Sequence, residues 1–487
     1  MDLRANFQAL FYPESVALIG ASNQRNKWGY RILDNIITGG FKGKIYPINY
    51  KEKEIHGLKA FSSLKEVPDP IDLAVIVVPV RSVPETFEAC IEKGVKAAIL
   101  ITAGFGEIGN EGKRLEEALT VRAREGGIIF TGPNCNGLMN RGIRLHAQMI
   151  SLFPKRGPIS MVTQSGNIGT SILARGIRNG LGFSKYVSSG NEALLRNEDI
   201  IEFYGEDPET EIIITYLEGV KNGQRFFEVC KKVALKKPIL VMKAGRTRGG
   251  ARAANSHTGS IAGPDEIFDA GCRQVGVLRC ESLDELFDLA AALTRQPLPR
   301  GPRVGIVTSG GGWGVLASDA CEKRGLDVTP ISERSISELG RFLPPWWSKG
   351  NPIDLVAGMN NRNEVFEACI SILFKNDEVD SIMLLGIGLI LEQKRKKGYT
   401  LDETEKKMMD AEMKIADTIL GLLDRYKRPI ITATDLNMHE NPYENPLFKK
   451  LREGGVLVYS DPDRAAAVIS AMYRRYQYSR RSKSYAV

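Results

Sequence analysis

The sequence predicts an α/β protein of three consecutive doubly wound domains, and three observations carry that prediction. Short apolar runs such as Leu73-Ala-Val-Ile-Val-Val78 lack polar alternation, as expected of parallel strands buried on both faces. These runs end in Gly, Pro or Thr and are followed by stretches with helical spacing of apolar residues. A strand–glycine loop–helix device also recurs. Ile159-Ser-Met-Val-Thr-Gln-Ser-Gly-Asn-Ile-Gly169 echoes Val304-Gly-Ile-Val-Thr-Ser-Gly-Gly-Gly-Trp-Gly314, by duplication or by convergence on an anion-binding turn.

The elements follow in order. Ser15–Ser22 reads as a short buried strand running into a Gly turn, and further strands are expected at Lys44–Asn49, Leu73–Val78, Ala97–Thr102 and Gly127–Thr131, giving a first domain over residues 1–150. After Pro154-Lys-Arg-Gly-Pro158, strands at Ile159–Thr163, Ser184–Val187, Ile212–Leu217 and Ile239–Lys243 define a second, 151–297. Leu298-Pro-Arg-Gly-Pro302 reads as a linker to a third domain, 298–475, with strands at Arg303–Thr308 and Ser381–Gly386 and near Ile430 and Val456. Glu392–Lys414 is a highly charged stretch that reads as an insertion. The basic tail, 476–487 with Arg474 and Arg475 just ahead of it, is expected to fray.

Composition narrows the function. A chain of 487 residues with 43% hydrophobic and 25% charged residues is an ordinary multidomain globular protein. Its net charge of +8 is spread along the chain, which fits anionic small ligands or a solvated surface and points away from nucleic acid. Seven scattered cysteines without a CxxC spacing argue against a zinc site or a disulfide framework, so no metal site is expected. No apolar run reaches membrane-spanning length and the start lacks a signal-peptide pattern, so a cytoplasmic location is expected.

Strand ends are where ligands bind in such sheets. The first turn, Gly20-Ala-Ser22, has its next glycine at Gly29 and so departs from the GxGxxG of dinucleotide-binding proteins. It still suits phosphate, because backbone N–H groups at a helix start attract anions. One of only four histidines, His257, lies in Gly249–Gly263, a stretch of small residues that reads as a flexible loop. From the residues alone it is either an ordinary exposed loop residue or a nucleophile that carries a phosphoryl group. The second reading needs a ring neutral near pH 7, a carboxylate to fix its tautomer and donors for the phosphoryl oxygens. Glu218, at the end of a strand, is the candidate carboxylate. Ser165-Gly166-Asn167 and Gly311-Gly312-Trp313 are candidate helix starts for the phosphate.

The ordered set of motifs resembles the ADP-forming (NDP-forming) acyl-CoA synthetases, relatives of succinyl-CoA synthetase, over nearly the whole chain. Gly20-Ala-Ser22, Val78-Pro79, Ile101-Thr-Ala-Gly-Phe-Gly106 and Gly132-Pro-Asn-Cys-Asn-Gly137 are similar to that family's Rossmann-like CoA-binding domain. Val162-Thr-Gln-Ser-Gly166, Ser188-Ser-Gly-Asn191, Tyr216-Leu-Glu-Gly219 and Ser256-His-Thr-Gly259 resemble its ligase domain and phosphohistidine loop. Arg303–Gly314 and Asn351-Pro-Ile-Asp354 resemble its third, flavodoxin-like domain. The resemblance implies CoA contacts at Gly20, Ala21, Ser22, Lys51, Val78, Pro79, Thr102 and Asn134. It implies catalysis by His257 and Glu218, through an acyl phosphate and a phosphohistidine. Family members also carry an ATP-grasp module, for which no stretch after Leu298 is left. ATP, ADP and Mg²⁺ are therefore expected on a β partner in an α2β2 assembly, with a small carboxylic acid or its acyl-CoA as substrate. The competing expectation is a CoA- or acyl-CoA-binding regulatory paralogue without nucleotide chemistry.

Overall fold

The protein is described by a computed structural model over residues 3–258, 264–355, 362–388, 403–435 and 445–484. Contacts divide the chain into two compact units, 1–283 and 284–487, each described separately below.

The first unit holds two large sheets. Strands β1 (Ser15–Ile19), β2 (Lys44–Ile48), β5 (Leu73–Ile76), β6 (Ala97–Leu100) and β7 (Ile129–Thr131) form a parallel sheet in the order β2-β1-β5-β6-β7. Two short strands, β3 (Glu54–Ile55) and β4 (Leu58–Lys59), make a separate hairpin. Every residue of β1, β5 and β6 is buried, as two-sided cover by helices requires.

The second sheet has the order β14-β13-β12-β10-β11-β8-β9. Its parallel strands are β10 (Arg156–Thr163), β11 (Phe183–Ser188), β12 (Ile212–Leu217), β13 (Ile239–Lys243) and β14 (Leu278–Arg279). The hairpin β8 (Gly137–Asn140) and β9 (Leu145–Gln148) extends it antiparallel along β11. Sheet pairing thus carries the second sheet back to Gly137, among residues that the apolar runs assign to the first domain. Asn35, in the helix Trp28–Gly39 of the first sheet's layer, donates to Gln148 O at 2.8 Å and locks that hairpin in place.

The second unit has one parallel sheet, in the order β16-β15-β17-β18-β19. Its strands are β15 (Val304–Thr308), β16 (Ile353–Asp354), β17 (Ser381–Leu385), β18 (Ile430–Ala433) and β19 (Val458–Tyr459). Residues 392–402 of the charged stretch lie outside the described residues. From Glu403 the chain is helical to Tyr426, and Ile415, Ala416, Ile419, Leu422 and Leu423 bury one face at helical spacing.

Two expectations are corrected. The stretch read as a flexible loop around His257 is helical from Arg248 to Thr258; Gly250 N donates to Thr247 Oγ1 at 3.1 Å, so the paired glycines fall in the capped first turn and not in the helix interior, where they would cost most. The tail expected to fray from Arg474 continues the helix Pro462–Ser484, with Arg475 buried, because that helix packs on Gly311–Glu322.

All three large sheets share one order. Counting only parallel strands in chain order, each runs 2-1-3-4-5, and the direction of winding reverses beside its first strand. A crevice opens there at the carboxyl ends. In each sheet the loop after the first strand is one of the glycine turns singled out from the sequence: Gly20, Ser165-Gly166, and Gly310-Gly311.

Candidate active site

At the first reversal point, Gly20 follows β1 with φ +93°, a conformation natural only to glycine. A Cβ on Gly29 would sit 2.0 Å from Gly20 O, so the helix Trp28–Gly39 can close onto the turn only through glycine. Ala21 and Ser22 are buried, and Asn49 Nδ2 donates to Ala21 O at 2.7 Å, pinning the turn to the end of β2. Lys51 is exposed; its Nζ lies 5.1 Å from the centroid of the Tyr50 ring. Across the neighbouring strands, Thr102 Oγ1 donates to Val78 O at 2.6 Å and Asn134 N donates to Thr102 O at 3.0 Å. The fold thus joins Val78, Thr102 and Asn134 in one hydrogen-bonded row, with Pro79 exposed at its end.

Asn134 is also the bridge to the second sheet. It is exposed, in left-handed conformation at φ +57°, and its Nδ2 lies 3.3 Å from Asn191 Oδ1. Gly190 in the loop after β11 has φ +58°, and a Cβ there would meet Pro133 O at 2.2 Å. Only glycine allows the two loops to interlock so closely. Asn191 Nδ2 further donates to Glu107 Oε2 at 2.5 Å and Glu116 Oε2 at 3.0 Å.

At the second reversal point, β10 ends at Thr163 and the helix Gly166–Arg178 begins, with Ser165 as its N-cap accepting from Ile168 N at 3.4 Å. Gly166 packs against the Asn136 side chain, and Asn167 is exposed. Glu218 follows β12 directly and is 9% exposed. Gln164 joins the two places. Its Oε1 accepts from the backbone N–H groups of Glu218 and, at 3.1 Å, Gly219. Its Nε2 donates to Gly219 O and to Glu192 Oε2, both at 2.9 Å. All four hydrogen-bonding positions of the amide are therefore used, which fixes its orientation.

Glu192 is buried at φ +54°. Its Oε1 accepts from Asn197 N at 3.0 Å and Ser189 Oγ at 3.2 Å. Burial pushes its carboxyl up to about 7; the Gln164 hydrogen bond opposes this, the nearby Glu198 charge adds to it and the Lys221 charge opposes it. Lys221 Nζ donates to Asn191 O at 2.8 Å and Glu192 O at 3.1 Å, tying the turn after Glu218 to the loop after β11. Gln164, Glu192 and Lys221 were not singled out as site residues from the sequence. Gln164 lay inside a quoted motif, and Glu192 directly followed one.

His257 falls in the helix Arg248–Thr258, and its side chain lies outside the described residues, as do residues 259–263. The approach to that helix is anchored: Ala244 N donates to Leu217 O at 2.8 Å, one residue before Glu218. The helix backbone also comes within 8 Å, Cα to Cα, of the turn Gly106–Ile108.

In the second unit, the helix Gly311–Glu322 starts at Gly310 without a side-chain cap, and a Cβ on Gly310 or Gly312 would meet open space. The strand-end device is the same as in the second sheet. Thr163 Oγ1 donates to Ser165 O at 3.0 Å, and Thr308 Oγ1 donates to Gly310 O at 2.9 Å. One difference matters for anions: Asp354 Oδ2 lies 3.0 Å from where a Gly311 Cβ would be, so this helix start already faces a carboxylate. Gly311 and Gly312 are exposed and Trp313 is half-buried.

Of the other histidines, His56 stacks on Tyr30 with ring centroids 4.3 Å apart, His146 is buried and His439 lies outside the described residues. All seven cysteines are buried and none forms a disulfide. Among the described residues no group of three or more His, Cys, Asp or Glu side chains is arranged to hold a metal ion, and no helix is long and apolar enough to cross a membrane.

A glycine turn over a reversal point, joined through Asn134 to a second sheet of the same winding, marks a protein assembled from successive doubly wound domains with ligand crevices at their strand ends. Comparison with known families agrees. Residues 14–141 match a CoA binding domain, 156–293 a succinyl-CoA ligase like flavodoxin domain, and 304–391 a ligase-CoA domain. The chain is 38% identical over 475 residues to the α subunit of ADP-forming acetate–CoA ligase I of Pyrococcus furiosus, covering 96% of this chain and 97% of that one. It is 44% identical over 377 residues to the α subunit of isoform II from the same organism, covering 77% of this chain and 81% of the relative. A solved acetyl-coenzyme A synthetase 1 of Ca. Korarchaeum cryptofilum, in complex with phosphate and ADP, superposes with a TM-score of 0.85 at 33% identity, over 98% of this chain and 99% of that one. The chain belongs to the ADP-forming acyl-CoA synthetases, the family of the ADP-forming acetate–CoA ligases, and is an acid–thiol ligase.

Proposed function

We propose that the chain is the α subunit of an ADP-forming acyl-CoA synthetase catalysing acyl-CoA + phosphate + ADP ⇌ carboxylic acid + CoA + ATP. Phosphate attacks the thioester carbonyl, the C–S bond breaks, and CoA leaves as an acyl phosphate forms. His257 then takes the phosphoryl group and releases the carboxylate. ADP takes it from His257 to give ATP. CoA lies along Gly20, Ala21 and Ser22, with Lys51 near its phosphates. Its thioester end points along Val78, Pro79, Thr102 and Asn134 toward the second sheet.

The observation that carries this reading is the Gln164 amide. It couples the Ser165 helix start, suited to a phosphate, to the backbone of Glu218, suited to orient a histidine. The Asn134–Asn191 contact supports delivery of the thioester to that point. Gly311, Gly312 and Trp313 offer the corresponding phosphate-accepting helix start of the second unit. A neutral imidazole attacks, and Glu218 holds its other ring N–H. The relatives named as α subunits support a partner, which we take to be an ATP-grasp β subunit carrying ATP, ADP and Mg²⁺ in an α2β2 assembly in the cytoplasm.

The test is phosphoryl labelling with the partner, ATP and Mg²⁺. An acid-labile, base-stable phosphoryl group is expected on His257 and is lost in His257→Ala. Glu218→Gln should slow labelling and leave CoA binding intact. Labelling that persists in His257→Ala overturns the reading. CoA binding without any labelling would instead favour a regulatory paralogue.

A further inference from the structure

We propose that Gln164 and Glu192 are positioning residues that hold the Glu218 turn for phosphoryl transfer, the charge on Glu192 deciding how firmly it is held. This deepens the reading of Glu218 and His257 above and rests on it.

Gln164 sets where the Glu218 and Gly219 N–H groups point, because its Oε1 receives both. Nothing in the strand ladder does this, since β12 ends at Leu217. Gln164 is held in turn by Glu192. A hydrogen bond from an amide N–H to a carboxylate is stronger than one to a neutral acid. Ionised Glu192 therefore grips Gln164, and protonated Glu192 loosens it. The groups around Glu192 come from several elements: Gln164 beyond β10, Ser189 beyond β11, Asn197 and Glu198 on the helix Asn197–Glu206, and Lys221 on the Glu218 turn. Glu107 and Glu116 face the adjacent Asn191 amide. Of the two cited charges that act on it, Glu198 and Lys221, one opposes and one favours its ionisation, and burial places the change near neutrality.

A buried acid in a left-handed backbone position is an expensive way to staple a loop. A glutamine would fill the same space without a charge, but with its oxygen on Asn197 N–H and Ser189 Oγ its NH2 would face the Gln164 NH2, and that one hydrogen bond would be lost. A purely structural staple therefore predicts that glutamine alters stability and leaves the pH profile of the rate unchanged, whereas a positioning role predicts that the rise in rate through neutrality is lost.

The experiment uses the full chain with its partner subunit, ATP and Mg²⁺, and follows the rate of His257 phosphorylation from pH 5.5 to 8.5. Near-UV circular dichroism and CoA affinity serve as controls for folding. The unsubstituted protein should gain rate through about pH 7. E192Q should keep its fold and CoA affinity, lose about fivefold to tenfold in rate at pH 8, and lack that part of the pH rise. Q164A, which frees the turn, should lose about 100-fold. E192Q with an unchanged rate and pH profile overturns this proposal and leaves the phosphohistidine reading standing. Absence of label on His257 in the unsubstituted protein overturns both.

Discussion

Lys185 Nζ lies 2.8 Å from Asp207 Oδ2 and 3.0 Å from Glu209 Oε2, and the Lys185 and Asp207 side chains are sealed from solvent. Burial alone would raise the Asp207 carboxyl; the hydrogen bonds from Lys185 and Thr210 outweigh it and hold the group below its ordinary range. Tyr12, just after the first helix, completes the cluster by donating to Asp207 Oδ1 at 2.9 Å. Lys185→Met should destabilise the first unit by about 3–5 kcal/mol, because an unpaired carboxylate stays buried. Chemical denaturation measures it, and K185M/D207L should recover most of the loss.

His146 should make the protein acid-sensitive. It is buried against Phe153, its Nε2 faces Arg141 at 2.7 Å, and burial, with the Arg141 charge, lowers it to about 3. The unfolded ring binds a proton below about 6.5 and the folded ring does not. The stability is thus fully present above pH 6.5 and declines as pH falls toward 3. H146Q should flatten the fall in Tm between pH 7 and pH 5; an unchanged slope would assign the acid sensitivity elsewhere.

Glu192 should cost stability at the pH where its charge is useful. Its folded carboxyl is raised from 4.5 to about 7, so stability is highest below 4.5 and is lost as pH rises through 7. The Tm of E192Q relative to the unsubstituted protein should therefore rise by several degrees between pH 4.5 and pH 8. A Tm difference that does not rise between pH 4.5 and pH 8 would contradict the assigned shift.

Asn351 completes the edge of β15 with a side chain. Its Oδ1 accepts from Ile306 N at 2.9 Å, and its Nδ2 donates to Val304 O at 2.8 Å and Thr329 O at 3.1 Å. Asn351→Ala leaves these backbone groups unpaired and should lower stability by about 3 kcal/mol. Asn351→Asp should not rescue it, because a carboxylate cannot donate to Val304 O. Urea denaturation of the two variants separates the cases.

The winding was legible because parallel strands buried on both faces leave continuous apolar runs. Leu73–Ile76 and Ala97–Leu100 are read without ambiguity. The hairpin β8–β9 was not, since Gly137-Leu-Met-Asn and Leu145-His-Ala-Gln carry polar groups that find partners only after folding, such as Asn140 donating to Phe11 O. Lys185 lies inside the expected strand Ser184–Val187, and nothing local points to its two carboxylates, which arrive from 22 and 24 positions away. Glu218 stood out as a carboxylate at a strand end. Gln164 and Glu192 did not, because 28 positions separate them and only the loops after β10 and β11 bring them together. The helix Arg248–Thr258 was hidden by Gly249 and Gly250, a local loop signal that falls in its capped first turn.

The hairpin Gly137–Gln148 leaves the end of the first sheet and pairs with the second. A recombination event that joined a new second half at residue 150 would therefore meet a foreign hairpin and break the partnership of β8 with β11. Chimaeras that exchange the CoA end of this chain for another should work only when the crossover falls before Gly137, with the hairpin inherited alongside the sheet it completes.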